Sequence, residues 1–366
     1  MLNSFDPFSG MISFDAEISG NDPAAYSPEP DMTNEEYKTF KELLTPAIQR
    51  RISPLIRISI RDYLKNNGVK ARGVTFEPVK AASGPVLDIS PVIYIDSLYE
   101  AYRTGSLGLN DIASIIASEY FKYLEPPFKN LPDILDFKIA RKRLAFRVVN
   151  TELNAELLSS VPHMDILDLS LVFYYLVNDD SGSLSYCTVT DHLINKWNLS
   201  LEKLYNTAVK NAPRLLPLSL STLDEAVCRI IEPKTADNQD IGQGGSASGS
   251  SSDYNYDLDP GSKTGQTKKP CDTAAFVLTN TAGTHGSAVI FYKDVPEKCF
   301  ELIGESYFIL PSSIHELILV RESMVRDPFE LTKIVRSVNS SSVSRNEFLS
   351  DKVYHYSPAA GCIEYA

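Results

Sequence analysis

The run of residues 169–177 constrains the fold of this chain more than any other segment. Its sequence, LSLVFYYLV, is apolar on both alternating faces of an extended strand. A strand of this kind is covered on both faces by other parts of the protein. The run is also far too short to span a bilayer, which takes about 20 residues in a helix. It therefore predicts a central, buried strand, and we expect no membrane partner.

Strand–turn–strand patterns lie on both sides of this run. Residues 56–60 alternate isoleucine with polar residues, and after the turn Asn66-Asn67-Gly68 the alternation resumes with Val74 and Phe76, which predicts a β-hairpin. Two more hairpins are predicted, and helical spacing predicts helices between the strands. The further hairpins join 276–279 to 288–292 and 353–356 to 362–365, and the main helices lie at 109–124, 201–211, 223–231 and 329–338. Because hairpins outnumber βαβ units, we predict an α+β fold with mostly antiparallel sheets.

Two segments are predicted to be disordered because they bury almost nothing. Residues 1–32 hold six acidic and no basic side chains, and residues 233–272 contain GQGGSASGSSSDYNYDLDPGSKTGQ. Together they carry most of the formal net charge of -12, so the folded part is only mildly acidic. We predict a disordered acidic arm at 1–32, an N-terminal α+β lobe at 33–150 and a C-terminal α+β lobe at 151–366, interrupted by the disordered insert at 233–272.

The segment LPSSIHE at 310–316 has the most reactive composition in the chain. Ser313 and His315 share one face of an extended strand, and Asp351 is a candidate for the acid that orients the histidine. Glu316 points to the opposite face, and the chain has no G-x-S-x-G motif. The alternative is that Pro311 opens a tight turn whose serines bond nearby backbone. Both interpretations stay open.

The sequence also contains candidate residues for a metal site and for a cofactor site. His163, Asp165 and Asp168 offer one imidazole and two carboxylates, which suit Mn, Fe or Zn, although a plain turn before the central strand explains them as well. The five cysteines are scattered and form no C-x-x-C pair, so neither a disulfide framework nor a zinc ribbon is indicated. The one glycine cluster, at 242–245, has no strand before it, so we expect no bound cofactor.

Basic residues cluster twice. Residues 50–80 carry eight Lys or Arg against two acids, and residues 138–147 carry five against none. Arg57, Arg61, Lys70 and Arg72 on the first hairpin are candidates for contacts with nucleic-acid phosphates. The alternative is a solvated outer face of the sheet, because this face lacks interleaved aromatic side chains.

Several phrases resemble a domain of unknown function found in uncharacterised proteins of clostridial gut bacteria. The matching phrases extend over roughly residues 33–356. They are Lys65-Asn66-Asn67-Gly68, Ser90-Pro91-Val92-Ile93-Tyr94, Tyr99-Glu100-Ala101-Tyr102 with Gly105, Val161-Pro162-His163 with Asp168-Leu169, Trp197, Val277-Leu278-Thr279-Asn280, 310–316 and 348–354. The resemblance implies a bacterial cytosolic protein with an antiparallel α+β fold, and it implies no activity. The arm and the insert depart from the family pattern.

These observations favour a non-enzymatic intracellular protein that binds or regulates another protein through exposed tyrosines. The first alternative is a nucleic-acid-binding module that uses the basic hairpin face around 50–72. The second is a hydrolase or metal-dependent enzyme centred on 310–316. No signal peptide precedes the first helix, and the scattered thiols suit a reducing compartment, so we expect a cytoplasmic location.

Overall fold

The computed structural model describes residues 12–16, 35–78, 89–124, 134–178, 185–231 and 273–366. The chain divides into two compact units. Unit 1 comprises Met1–Leu216 with Val338–Ser350, and unit 2 comprises Pro217–Ser337 with Asp351–Ala366. The insert predicted at 233–272 lies outside the described residues, as does the arm predicted at 1–32 except for the strand at 12–16. The division into lobes at 150 stays a prediction.

Unit 1 contains a sheet to which eight of the described strands contribute. They are β1 (Ile12–Ala16), β2 (Ile56–Leu64), β3 (Lys70–Pro78), β4 (Ile89–Tyr94), β5 (Leu144–Asn150), β6 (His163–Ile166), β7 (Leu169–Asn178) and β8 (Ser185–Thr188). Neighbours follow the order β2-β3-β4-β1-β8-β7-β5, with β6 also beside β7. The β1–β4 pair is parallel, and the other described pairs of this sheet are antiparallel. The mostly antiparallel α+β prediction is confirmed.

The central strand predicted from the apolar run is β7. Its residues 169–177 are all buried. β5 pairs with it along one edge, whereas β6 and β8 share the other edge. The strand therefore has neighbours on both edges and cover on both faces, as its composition requires.

Unit 1 has seven α-helices that lie entirely within it in the described residues. They are α1 (Glu35–Gln49), α2 (Asp96–Arg103), α3 (Leu109–Lys122), α4 (Phe137–Ala140), α5 (Ala155–Leu158), α6 (Asp191–Trp197) and α7 (Leu201–Leu215). α1 and α3 pack on β2–β4, where Phe40 and Ile116 join the hairpin residues Ile58, Ile60 and Phe76 in one buried cluster. Burying each such side chain contributes about 1.5–3 kcal/mol, so the isoleucine alternation fixes which face of the hairpin is internal.

The C-terminal part of unit 1, Val338–Ser350, is hydrogen-bonded to the turn Asn66–Gly68. Asn67 adopts a left-handed conformation (φ 57°), and its side-chain amide donates to the carbonyl oxygens of Arg345 (2.7 Å) and Phe348 (2.6 Å). Asn154 is buried beside it and donates to the Asn67 side-chain oxygen at 2.7 Å. Buried amides of this kind need such partners, because an unpaired one costs about 1–3 kcal/mol.

Unit 2 contains a second sheet in the order β14-β13-β11-β12-β10-β9, with antiparallel pairs throughout its described strands. Its elements are β9 (Leu218–Thr222), α8 (Leu223–Ile231), β10 (Ala275–Asn280), α9 (Val295–Ile303), β11 (Tyr307–Pro311), β12 (Leu317–Arg321), α10 (Pro328–Ser342, whose last turn belongs to unit 1), β13 (Tyr354–Tyr356) and β14 (Ile363–Tyr365). Phe308, Leu310, Val335 and Val353 form a buried cluster here. In the described part of the chain, no helix is long and apolar enough to cross a membrane.

The hairpin predicted between 276–279 and 288–292 is wrong. Both edges of β10 are occupied by β9 and β12, and Gly286–Phe291 forms a 3₁₀ helix instead. The chain bends at Gly286, where a Cβ atom would collide with the Thr279 hydroxyl and the His315 carbonyl oxygen. Only glycine allows this close approach.

Candidate functional site

Helix α7 presents two neighbouring stripes of side chains. The Ser200 hydroxyl caps the helix by accepting the backbone N–H of Lys203 (3.3 Å). Leu204, Ala208 and Ala212 recur every four residues and are buried, in a helix that packs against β5. The adjacent stripe is polar and consists of Lys203, Thr207, Lys210 and Arg214. Burial of the first stripe therefore fixes where the basic stripe points.

The turn that follows α4 is tied to this helix through main-chain oxygens. The Asn211 amide donates to the carbonyl oxygen of Arg141 at 2.6 Å, and the Arg214 guanidinium donates to that of Lys142 at 2.8 Å. The Arg143 Nε donates to the carbonyl oxygen of Leu176 at 2.6 Å. The first two bonds hold the turn close to α7, and the third joins Arg143 to β7.

Between the two elements lies a cavity of about 1030 Å³, which we call the α4–α7 groove. Its lining contains six basic side chains and one acid, Glu202. The basic residues are Arg141, Lys142, Arg143, Lys203, Lys210 and Arg214. All of them except Arg143 are exposed. Within the described residues, those five exposed cations form no ion pair, and neutral carbonyl oxygens do not cancel their charge. The groove therefore carries a concentrated positive potential.

The groove is long and has one aromatic wall. From Lys203 to Arg214 the helix axis advances about 16 Å, at about 1.5 Å per residue. Half-exposed Phe137 lines the groove, with its ring centroid 5.6 Å from that of buried Trp197. The Lys203 ammonium lies 5.9 Å from the Phe137 centroid. The arrangement suits a chain of negative charges that also carries flat groups.

The basic residues of the β2–β3 hairpin that are candidates for phosphate contacts differ in their exposure. Arg57 and Lys70 are exposed, whereas Arg61 contacts the Glu77 carboxylate at 3.1 Å. Arg72 is only 2% exposed, so its assignment to a surface that binds phosphates is corrected. The cross-strand pair of Ile60 with Val74 places residue 72 on the core face of the hairpin.

Arg72 is enclosed by two aromatic rings and one carboxylate, although its Nε has no hydrogen-bond partner among the described residues. Its guanidinium carbon lies 3.9 Å from the Tyr37 ring centroid and 5.3 Å from that of Tyr99. Asp96 lies 3.7 Å from its Nε and accepts its backbone N–H at 2.9 Å. Burial raises the pKa of Tyr37 to about 12. Burial also raises the pKa of Asp96, and the backbone N–H and guanidinium of Arg72 oppose that rise.

The reactive-looking segment forms the loop from β11 to β12. The Ser313 hydroxyl accepts the backbone N–H of His315 at 3.0 Å, and Ser312 donates to Glu316 at 3.3 Å. The His315 ring stacks on that of His285, with centroids 6.0 Å apart, and accepts its backbone N–H at 3.3 Å. Strand β12 begins at Leu317, so His315 lies in the loop rather than in the predicted strand. This serine–backbone bond is what the turn interpretation predicted. A hydrolytic role for Ser313, His315 and Asp351 stays a prediction.

The metal candidates are held by neighbouring groups. Asp165 accepts the Ser170 hydroxyl at 2.6 Å and lies 3.9 Å from the His163 Nε2. Asp168 accepts the Ser350 hydroxyl at 2.6 Å. Across the described ranges, no group of three or more His, Cys, Asp or Glu side chains is placed to hold a metal ion. Metal binding at these residues stays a prediction.

The sequence reasoning identified one wall of the groove and missed the other. The basic cluster at 138–147 was recognised, although Arg147 is buried and donates to the Tyr186 hydroxyl at 3.3 Å. The α7 cations were missed because they are distant in sequence and are mixed with acids and amides. Their helical spacing beside the apolar stripe was the available signal.

Comparison with known proteins places the chain in a family. The profile of a family of unknown function, DUF5688, matches residues 37–358. The chain belongs to this family. No curated protein and no solved structure matches it. The DUF5688 assignment confirms the predicted resemblance to a domain of unknown function, and it supplies no activity. The clostridial source stays a prediction.

Proposed function

We propose that unit 1 is a nucleic-acid-binding module that holds the phosphate backbone in the α4–α7 groove. The observation that supports this most directly is the lining, with six basic side chains against one acid around about 1030 Å³. Lys and Arg side chains supply the sequence-independent part of nucleic-acid affinity by displacing counterions from phosphates. Five of these cations have no ion-pair partner among the described residues, so they are available to a ligand.

The layout of the cations favours a linear polyanion over a single small anion. They extend over about 16 Å of α7 and along the facing turn, which is far longer than one phosphate. A nucleic-acid strand carries a charge about every 3.4 Å in a duplex, so several phosphates can be contacted at once. The whole chain has a formal net charge of -12, and salt screens those of its exposed charges that lie beyond about 8 Å at physiological ionic strength.

A salt titration tests this proposal. Binding of a fluorescein-labelled 12-nucleotide strand to the full chain is followed by anisotropy from 50 to 300 mM KCl. With five phosphate contacts, log K should fall against log salt with a slope of about -3.5. Polyglutamate of equal charge is the competitor. Absence of binding at 50 mM, a slope near zero, or displacement by polyglutamate at equal concentration would each overturn the proposal.

The tyrosine-mediated protein interaction has less support in the described part of the chain. Of the tyrosines there, only Tyr365 is exposed, at 49%. The others are buried or half-buried, as in the Tyr307–Tyr356 pair inside unit 2. We therefore place nucleic-acid binding ahead of protein binding.

We also infer a bacterial cytoplasmic location. The family resemblance drawn from the sequence supports it, and so does the buried thiol of Cys299, which forms no disulfide bond with a described residue. Burial raises the pKa of Cys299 to about 12, so this thiol stays protonated and unreactive at neutral pH.

A further inference from the structure

We propose that the α4–α7 groove selects single-stranded nucleic acid, with one unpaired base stacked on Phe137. This inference rests on the proposed function, because it assigns a strand type and a base contact to the same groove. Nothing in the cation layout alone distinguishes single strands from duplexes. The aromatic side chain in the groove lining distinguishes them, because a ring can stack on an unpaired base.

Phe137 is placed as a platform. It is the first residue of α4, and its ring is half-exposed within the groove lining. Trp197 packs against it with ring planes 50° apart. Trp197 is itself fixed, since it is 8% exposed and its indole N–H donates to the Ile134 carbonyl oxygen at 2.9 Å. A ring backed in this way loses little freedom when a base stacks on it.

The surroundings of Phe137 match a nucleotide rather than an apolar ligand. Lys203 lies beside the ring, and Arg141 is one helical turn further along the chain. A base on the ring would thus have a cation for the phosphate on either side. Base–aromatic stacking combined with a basic groove is the general mode of single-strand binding. In a duplex the base faces are already stacked on one another inside the helix, so a side-chain ring on the protein surface cannot stack on them.

The test compares two single-stranded ligands that carry the same number of phosphates with a duplex that carries twice as many. A 12-nucleotide single strand, its blunt duplex and a 12-unit abasic strand are titrated into the full chain at 100 mM KCl. We expect the single strand to bind about tenfold or more tightly than the abasic strand, because one stacked base contributes about that factor. Equal affinity for the single strand and the abasic strand, or tighter binding of the duplex, would overturn the inference.

Variants at Phe137 separate the ring from the charges. Phe137→Leu should lose the preference for the single strand over the abasic strand, whereas Phe137→Tyr should keep the preference. Phe121→Leu is the matched control, since Phe121 is a 48% exposed ring on α3 outside the groove. Equal weakening of both ligands by Phe137→Leu would show a structural role for the ring and contradict the stacking assignment.

A measurement on the unmodified chain keeps the inference testable if Phe137→Leu does not fold. A strand carrying 2-aminopurine should be quenched on binding, and the emission of Trp197, the single tryptophan of the chain, should change in the same titration. Binding without either change would refute stacking on Phe137. If none of the ligands, including the abasic strand, binds with a salt dependence, the proposed function itself fails. Loss of the preference for the single strand over the abasic strand would contradict only the stacking of a base on Phe137.

Discussion

The β2–β3 hairpin and the α4–α7 groove are both rich in Lys and Arg, yet only the groove presents them together to solvent. On the hairpin, Arg72 is buried beside Asp96, and Arg61 contacts Glu77. Lys65 lies 3.8 Å above the Tyr94 ring. In the groove, five cations are exposed on facing walls. The difference teaches that a basic sequence becomes a basic surface only where the fold leaves its cations without carboxylates or rings.

The largest expected effect is a loss of stability when Arg72, the buried cation of the hairpin, is replaced. Arg72→Met removes the cation beside Asp96 and between the Tyr37 and Tyr99 rings. Breaking a buried pair from one side costs about 3 kcal/mol, which corresponds to a Tm lower by about 10 °C. Thermal unfolding followed by circular dichroism measures it. Arg57→Met is the exposed control, and it should change stability by less than about 0.5 kcal/mol. A stable Arg72→Met protein that no longer binds nucleic acid would indicate that the nucleic-acid-binding site lies on the hairpin.

The next effect compares the two regions by charge reversal. Lys203→Glu with Lys210→Glu should weaken binding of the 12-nucleotide strand at least tenfold and make the salt slope about 1.4 less steep, since two phosphate contacts are lost. Arg57→Glu with Lys70→Glu makes the same charge change on the hairpin and should alter affinity by less than twofold. Anisotropy titrations of both variants decide between the surfaces. A greater loss in the hairpin variant would reverse the comparison.

A smaller effect tests whether the Glu77 carboxylate prevents the hairpin from binding phosphates. Glu77→Gln removes the partner of Arg61, and the pair is partly exposed, so the stability loss should stay within about 1 kcal/mol. Binding should remain within twofold of the unmodified protein. A variant that gains affinity and a steeper salt slope would mean that the hairpin binds phosphates once its carboxylate is neutralised. Chemical denaturation and anisotropy on the same sample provide both readings.

The smallest effect concerns pH. Because burial raises the folded pKa of Asp96 above its ordinary value of 3.8, the native state holds that proton more tightly than the unfolded state does. Its contribution to stability is therefore present below pH 3.8 and is lost as pH rises through the folded pKa. The Tm of the unmodified protein minus that of Asp96→Asn should fall between pH 3.5 and 7. A difference that grows with pH would show that attraction to Arg72 outweighs burial.

Much of the fold was predictable because its signals are local. The apolar run at 169–177, the isoleucine alternation of β2 and the helical spacing of α3 and α7 each fix one element and its buried face. The predicted partner of β10 failed because strand pairing depends on which edges are already occupied, and β9 and β12 occupy them. That competition is decided by residues far apart in the chain.

The candidate site was only half predictable for the same kind of reason. Strand parity alone places Arg72 with Val74 and Phe76, so its burial could have been read from the sequence. The groove is different, because its walls approach only through contacts such as that from the Asn211 amide to the Arg141 carbonyl oxygen. No pattern within either wall predicts that contact.

The bond from Asn67 to Phe348 has a consequence for synthesis of the chain. The two residues are 281 positions apart, and residues Pro217–Ser337 of unit 2 lie between them. At about 5–20 residues per second, translation needs roughly 15–60 s to deliver the second residue after the first. Throughout that interval the Asn67 amide lacks its native acceptors, so unit 1 reaches its final form late, after most of unit 2 has left the ribosome. A nascent chain that stalls before residue 345 would carry an unfinished unit 1 that chaperones and proteases can recognise.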